Sequence, residues 1–131
     1  MAVVPLLADE KAGAEALAVF DDIRAARGTD YINNFWRALA ANPDLLRATW
    51  DRLQQVMGPG TLDPLTKELI YIAVSVTNGC GYCVHSHTAA ARAKGMTDAQ
   101  FAETLAVIAM ASQTNALATA LGVETDERFL V

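Results

Sequence analysis

Cysteine and histidine are scarce in this 131-residue chain, with two of each, and the cysteines Cys80 and Cys83 are separated by only two residues. A framework of structural disulfides is thereby excluded. The one bridge available would close so small a loop that it would restrict the unfolded chain little. Basic residues are also few, ten Lys and Arg scattered against fifteen acidic residues for a net charge of −5. No cationic stripe exists to follow a phosphate backbone, so nucleic acid is not an expected partner. The longest apolar stretches, around 69–76 and 105–111, fall short of the ~20 residues a membrane span needs, and no transmembrane helix is expected. The opening residues Met1-Ala2-Val3-Val4-Pro5 lack a basic leader and a long hydrophobic region, which gives no secretion signal and points to the cytoplasm. No stretch alternates apolar with polar as a half-buried strand would. Repeats, linkers and low-complexity segments are absent as well.

What remains is apolar and helical. Hydrophobic residues make up 53% of the chain, more than one small core needs to cover, so a homo-oligomer is expected. The length suits a single domain over residues 1–131. Punctuation by Gly, Pro and capping residues predicts an all-α domain of about six helices. A first helix is expected from about Asp9 to Arg27, carrying Leu17, Phe20 and Ile23 and stopped by Gly28. A second, from near Asp30, carries Phe35, Trp36 and Leu39. Asn42-Pro43 and Asp63-Pro64 each supply an N-cap followed by a first-turn proline. The first opens a helix bearing Leu46, Trp50, Leu53 and Met57, and the second a helix bearing Leu65, Leu69, Ile72 and Val76 until Asn78-Gly79 breaks it. The next helix runs from Cys80 to Ala93 or Lys94, with Gly95 as its C-cap. Thr97-Asp98-Ala99-Gln100 has the form of a capping box and opens a long helix through Phe101, Leu105 and Ile108 to near Gly122. The apolar end, Phe129-Leu130-Val131, is a candidate to dock on a sister subunit. Trp36 and Trp50 read as core rather than as pocket lining.

The chemistry-bearing residues gather at one place. On an ideal helix advancing ~100° per residue, Cys83 and His87 lie within about 60° of Cys80, while His85 points away. One face then holds both thiols and one imidazole. Cys83 and His87 are an i, i+4 pair, close enough for a thiol and a base to exchange a proton. Cys80 stands at the helix start, where free N–H groups and the dipole favour a thiolate. If either thiolate is oxidised to a sulfenic acid, the other is placed to close a disulfide. Glu68 sits beside the Leu65, Ile72 and Val76 stripe without a cation three or four residues away. Such a carboxylate tends toward a raised pKa, as a proton carrier requires; the alternative, equally open from the local pattern, is a half-exposed surface glutamate. Zinc held by Cys80, Cys83, His87 and Glu68 is a lesser alternative, because structural zinc sites draw a second ligand pair from another segment.

Glu68, Cys80, Cys83 and His87 together spell Glu-x11-Cys-x2-Cys-x3-His, which resembles the active-site signature of the alkylhydroperoxidase D-like proteins in the carboxymuconolactone decarboxylase superfamily. The resemblance covers roughly Leu62 to Ala120. It implies an all-α fold assembled as trimers or multiples of trimers, with no flavin, haem or metal cofactor. It also implies a thiol-dependent peroxidase acting on organic hydroperoxides or hydrogen peroxide. Carried over by position, Cys83 is the peroxidatic thiol, Cys80 resolves it, and Glu68 and His87 relay the proton. An external dithiol, such as a lipoyl group on a carrier protein, would reduce the disulfide. Where the best-understood members place a histidine before the second cysteine this chain has Tyr82, a poor proton shuttle near neutral pH. Two other functions compete with the peroxidase: a redox sensor or disulfide-exchange module, and a decarboxylase or other lyase on the same scaffold.

Overall fold

The computed structural model describes residues 2–130; Met1 at the start and Val131 in the apolar tail lie outside them. The described residues are all-α, with six α-helices, two short 3-10 turns and no strand. They divide after Gly58 into two compact units.

In the first unit, α1 (Ala14–Arg27), α2 (Asn34–Leu39) and α3 (Pro43–Met57) enclose one core. Phe20, Ile23, Leu46, Trp36 and Trp50 are buried there. The two tryptophan rings meet edge to face at 5.4 Å, a contact worth about 0.5–1.5 kcal/mol beyond its buried area. Both tryptophans are core, as expected. The first helix is shorter than its pattern suggests. Residues Asp9–Lys11 form a separate 3-10 turn, and α1 begins after Gly13, which is extended at φ −70° and ψ 163°. Asp9 is drawn out of helical register because its carboxylate receives Arg24 Nη2 at 2.6 Å and Arg37 Nη1 at 3.0 Å. The second helix likewise starts at Asn34 rather than near Asp30, whose carbonyl accepts from Arg24 Nε at 3.0 Å. Phe35 is exposed.

The second unit holds α4 (Pro64–Thr77), α5 (Gly81–Ala93) and α6 (Asp98–Leu121). Asp63 caps α4 by accepting from the Thr66 N–H at 3.0 Å, and the Thr97–Gln100 capping box opens α6. Ile72, Ala91 and Met96 form the core, with Leu65, Leu69, Phe101 and Ile108 packed on it. Full burial of a side chain the size of Ile72 contributes about 1.5–3 kcal/mol. Val76 and Leu105, expected on the inner stripes, are exposed. For Leu105 the reason is register: α6 tucks in only along Phe101, Thr104 and Ile108.

None of the 24 residues of α6 is fully buried. By length and composition alone α6 is apolar enough to cross a membrane, a property that the apolar runs in the sequence did not bring out. Counting runs misses it because Ser112-Gln113-Thr114-Asn115 divide the helix. Those four polar side chains would lie near a bilayer's centre, where polar groups are costly.

Candidate active site

The turn between α4 and α5 builds the site. Gly79 adopts φ +67°, a left-handed conformation that a side chain would strain. With it α4 ends in a Schellman motif: the Cys80 N–H donates to the Ser75 carbonyl at 2.9 Å, and the Gly79 N–H to the Val76 carbonyl at 3.1 Å. Cys80 thus closes one helix and caps the next. Its Sγ accepts the Cys83 N–H at 3.3 Å, one of the otherwise free donors of the first turn of α5. A thiolate at Cys80 would meet the same donor and the positive end of the helix dipole. Cys80 and Cys83 are joined as a disulfide, with their Cα atoms 5.3 Å apart.

One turn beyond Cys83, His87 faces α4. Its Nδ1 lies 2.7 Å from Glu68 Oε2. The ring also stacks on Tyr71, with centroids 3.5 Å apart and planes inclined by 17°. Glu68 and Tyr71 stand one turn apart on α4 and hold the imidazole in its plane and across its face. Glu68 is only 4% exposed, and its second oxygen, Oε1, receives Lys94 Nζ at 2.9 Å. This reverses the charge expected for the carboxylate. Burial pushes the Glu68 pKa up, but the hydrogen bonds from His87 and Lys94, with their charges, outweigh burial and bring it below the ordinary value. The cation is missing from the local pattern because it arrives from the end of another helix.

An ionised carboxylate can only accept, so His87 Nδ1 carries its hydrogen toward Glu68. In a neutral imidazole that leaves Nε2 as the basic nitrogen. Both Glu68 oxygens are engaged by protein donors, which disfavours their use as zinc ligands. His85 is exposed and Tyr82 half-exposed. Of the residues singled out in sequence, Glu68 and His87 are brought together, as are Cys80 and Cys83. Tyr71 and Lys94 were not singled out. Lys94 lies seven residues after His87 and fourteen after Cys80. That heptad spacing on one helical face was a legible signal.

The chain is thus an all-α protein with a Cys-x-x-Cys pair at the start of a helix that also carries a histidine held by a buried carboxylate. Residues 43–126 match the carboxymuconolactone decarboxylase family. The chain belongs to that family, as an alkylhydroperoxidase D-like member. It is 60% identical to the alkylhydroperoxidase AhpD core of Rhodospirillum rubrum, whose crystal structure superimposes with a TM-score of 0.96 over 100% of this chain and 98% of that one. It is 37% identical over 106 residues to the alkyl hydroperoxide reductase AhpD of Solibacter usitatus, covering 79% of this chain and 58% of that protein. With the protein of the same name from Maricaulis maris it shares 32% over 126 residues, 91% of this chain and 70% of that protein. The chain therefore spans between about three fifths and seven tenths of these two curated relatives' length.

Proposed function

We propose that this chain is a thiol-dependent peroxidase that reduces organic hydroperoxides or hydrogen peroxide through a cycle between the Cys80–Cys83 dithiol and its disulfide. The observation that carries the reading is the His87–Glu68 hydrogen bond of 2.7 Å on the helix that bears the disulfide. The names and identities of the relatives agree with it. In this reading His87 takes the proton of Cys83, and the Cys83 thiolate attacks the terminal peroxide oxygen. The O–O bond breaks, an alcohol leaves with the proton, and Cys83 becomes a sulfenic acid. The Cys80 thiolate then displaces hydroxide, which departs as water, and closes the disulfide. Two electrons return from an external dithiol by exchange, through a mixed disulfide. A lipoyl group on a carrier protein has the required chemistry, and the cytoplasm is the compartment in which such a reductant is maintained.

We also assign the exposed face of α6 to contact between copies of the chain, in a trimer or hexamer. Leu105, Val107, Met110, Leu117 and Leu121 are all exposed along that helix. Sister subunits would cover this surface without placing its polar middle in lipid.

The test is a single turnover. Fully reduced protein is mixed with one equivalent of cumene hydroperoxide, free thiols are followed over time, and the product is located by peptide mass spectrometry. Rapid stoichiometric formation of Cys80–Cys83 is expected in the native sequence. Cys80→Ser should stop at a sulfenic acid on Cys83, trappable by dimedone, and Cys83→Ser should consume no peroxide. Full consumption by Cys83→Ser would reverse the assigned roles, and thiols that oxidise no faster than free glutathione would remove the peroxidase reading.

A further inference from the structure

The dithiol, His87 and Glu68 leave Lys94 unused. Lys94 is the C-cap residue of α5, where free carbonyls and the negative end of the helix dipole favour a cation. Its position is fixed by a second Schellman motif: the Met96 N–H donates to the Ala91 carbonyl at 3.0 Å and the Gly95 N–H to the Arg92 carbonyl at 3.0 Å, with Gly95 at φ +92°. Met96 and Ala91 are both buried beneath it. Two turns separate Lys94 from His87, so the two side chains reach α4 from the same face of α5. They bracket one carboxylate, His87 Nδ1 on Oε2 at 2.7 Å and Lys94 Nζ on Oε1 at 2.9 Å.

We propose that Lys94 is a positioning residue of the dithiol site: its ammonium keeps Glu68 ionised and aimed at His87 Nδ1, and so sets the acid limit below which the thiols are no longer activated. The proposal deepens the peroxidase reading and rests on it for its kinetic readout. Burial by itself would favour the protonated acid. A protonated Glu68 could turn its own hydrogen on His87 Nδ1, leaving the imidazole with its hydrogen on Nε2 and no base toward the thiols. Other groups stand around Glu68. On α4 its neighbours are Lys67 and Tyr71, the latter stacked on His87. On α5, Arg92 is committed to Asp98 of α6 at 2.6 Å and to the Met96 carbonyl at 3.4 Å. The α6 side chains packed against this cluster, Phe101 and Ile108, are apolar.

The experiment is an infrared pH titration of the carbonyl stretch of protonated Glu68, identified by its loss in Glu68→Gln. It is run on the native protein, Lys94→Met and Lys94→Arg, and paired with the pH profile of thiol oxidation by cumene hydroperoxide. In Lys94→Met the protonated signal should appear roughly 1–2 pH units higher, the size expected when an opposite charge at this range is lost. The acid limb of thiol oxidation should move with it. Lys94→Arg should restore both to near the native position. An unmoved carboxyl titration, or a rate that falls equally at every pH, would overturn the proposal by reducing Lys94 to a structural role. If Lys94→Met does not fold, Lys94→Gln keeps a donor to Oε1 without the charge, and the same two results decide. If native thiols ignore the hydroperoxide at every pH the peroxidase reading fails, while the carboxyl titration still decides what Lys94 does.

Discussion

Replacing Glu68 by glutamine preserves shape and removes only charge, so it isolates what the buried carboxylate does. Two orientations are open to the amide. With its oxygen toward Lys94, the NH2 group donates to His87 Nδ1, and the imidazole must carry its hydrogen on Nε2. With its oxygen toward His87, the NH2 group is pressed against the Lys94 ammonium, donor against donor. The first orientation removes the base and the second breaks an ion pair. Either way one charge-assisted hydrogen bond is lost, and each such bond is worth about 1.5–3 kcal/mol. Because Glu68 is 4% exposed, solvent offsets little of this. Glu68→Gln should therefore lower unfolding stability at pH 7 by about 2 kcal/mol and slow thiol oxidation by about 10²–10⁴-fold, the range for a displaced general base. The sign with pH follows from a carboxyl whose folded pKa is lowered. Its stabilisation is fully present above the unfolded value of about 4.3 and is lost as pH falls through the folded value. The stability gap between native and variant should thus be full at neutral pH and close under acid conditions. Urea unfolding at several pH values, in one redox state, and single-turnover thiol oxidation measure the two effects. A variant that oxidises within about threefold of the native rate would refute the assignment of His87 as a base oriented by Glu68.

Other expectations concern the scaffold and its assembly. Gly79→Ala meets no atom within 4 Å of the added carbon, so its cost is the left-handed backbone alone. That is about 1–2 kcal/mol, or a melting temperature lower by roughly 3–8 °C, and an unchanged melting temperature by calorimetry would contradict it. Leu117→Asp on the exposed face of α6 should shift the protein to a smaller species in light scattering. A native protein that already scatters as a 14.0 kDa monomer would end the assembly proposal.

Much of this protein is local, and local features are what a sequence states. Asn42, Asp63 and Thr97 each cap the helix they precede, because a cap needs only a side-chain oxygen and an N–H three residues on. Gly95 was expected as the C-cap and instead follows it, with Lys94 in the cap position, a shift of one residue within the same turn. The early break at Gly13 was hidden because its cause, the pairing of Asp9 with Arg24 and Arg37, joins residues fifteen and twenty-eight positions apart. The same division runs through the site. Periodicity alone raised the expectation that Cys80, Cys83 and His87 share one helical face, and spacing marked Glu68 as their companion. The charge on Glu68 was decided only when α5 packed against α4. Burial by itself favours a neutral acid, and it took His87 together with a lysine 26 residues away, brought to 2.9 Å by a helix end, to make it a carboxylate. Spacing along one helix is a property of the chain, whereas the field at a buried oxygen belongs to everything folded around it.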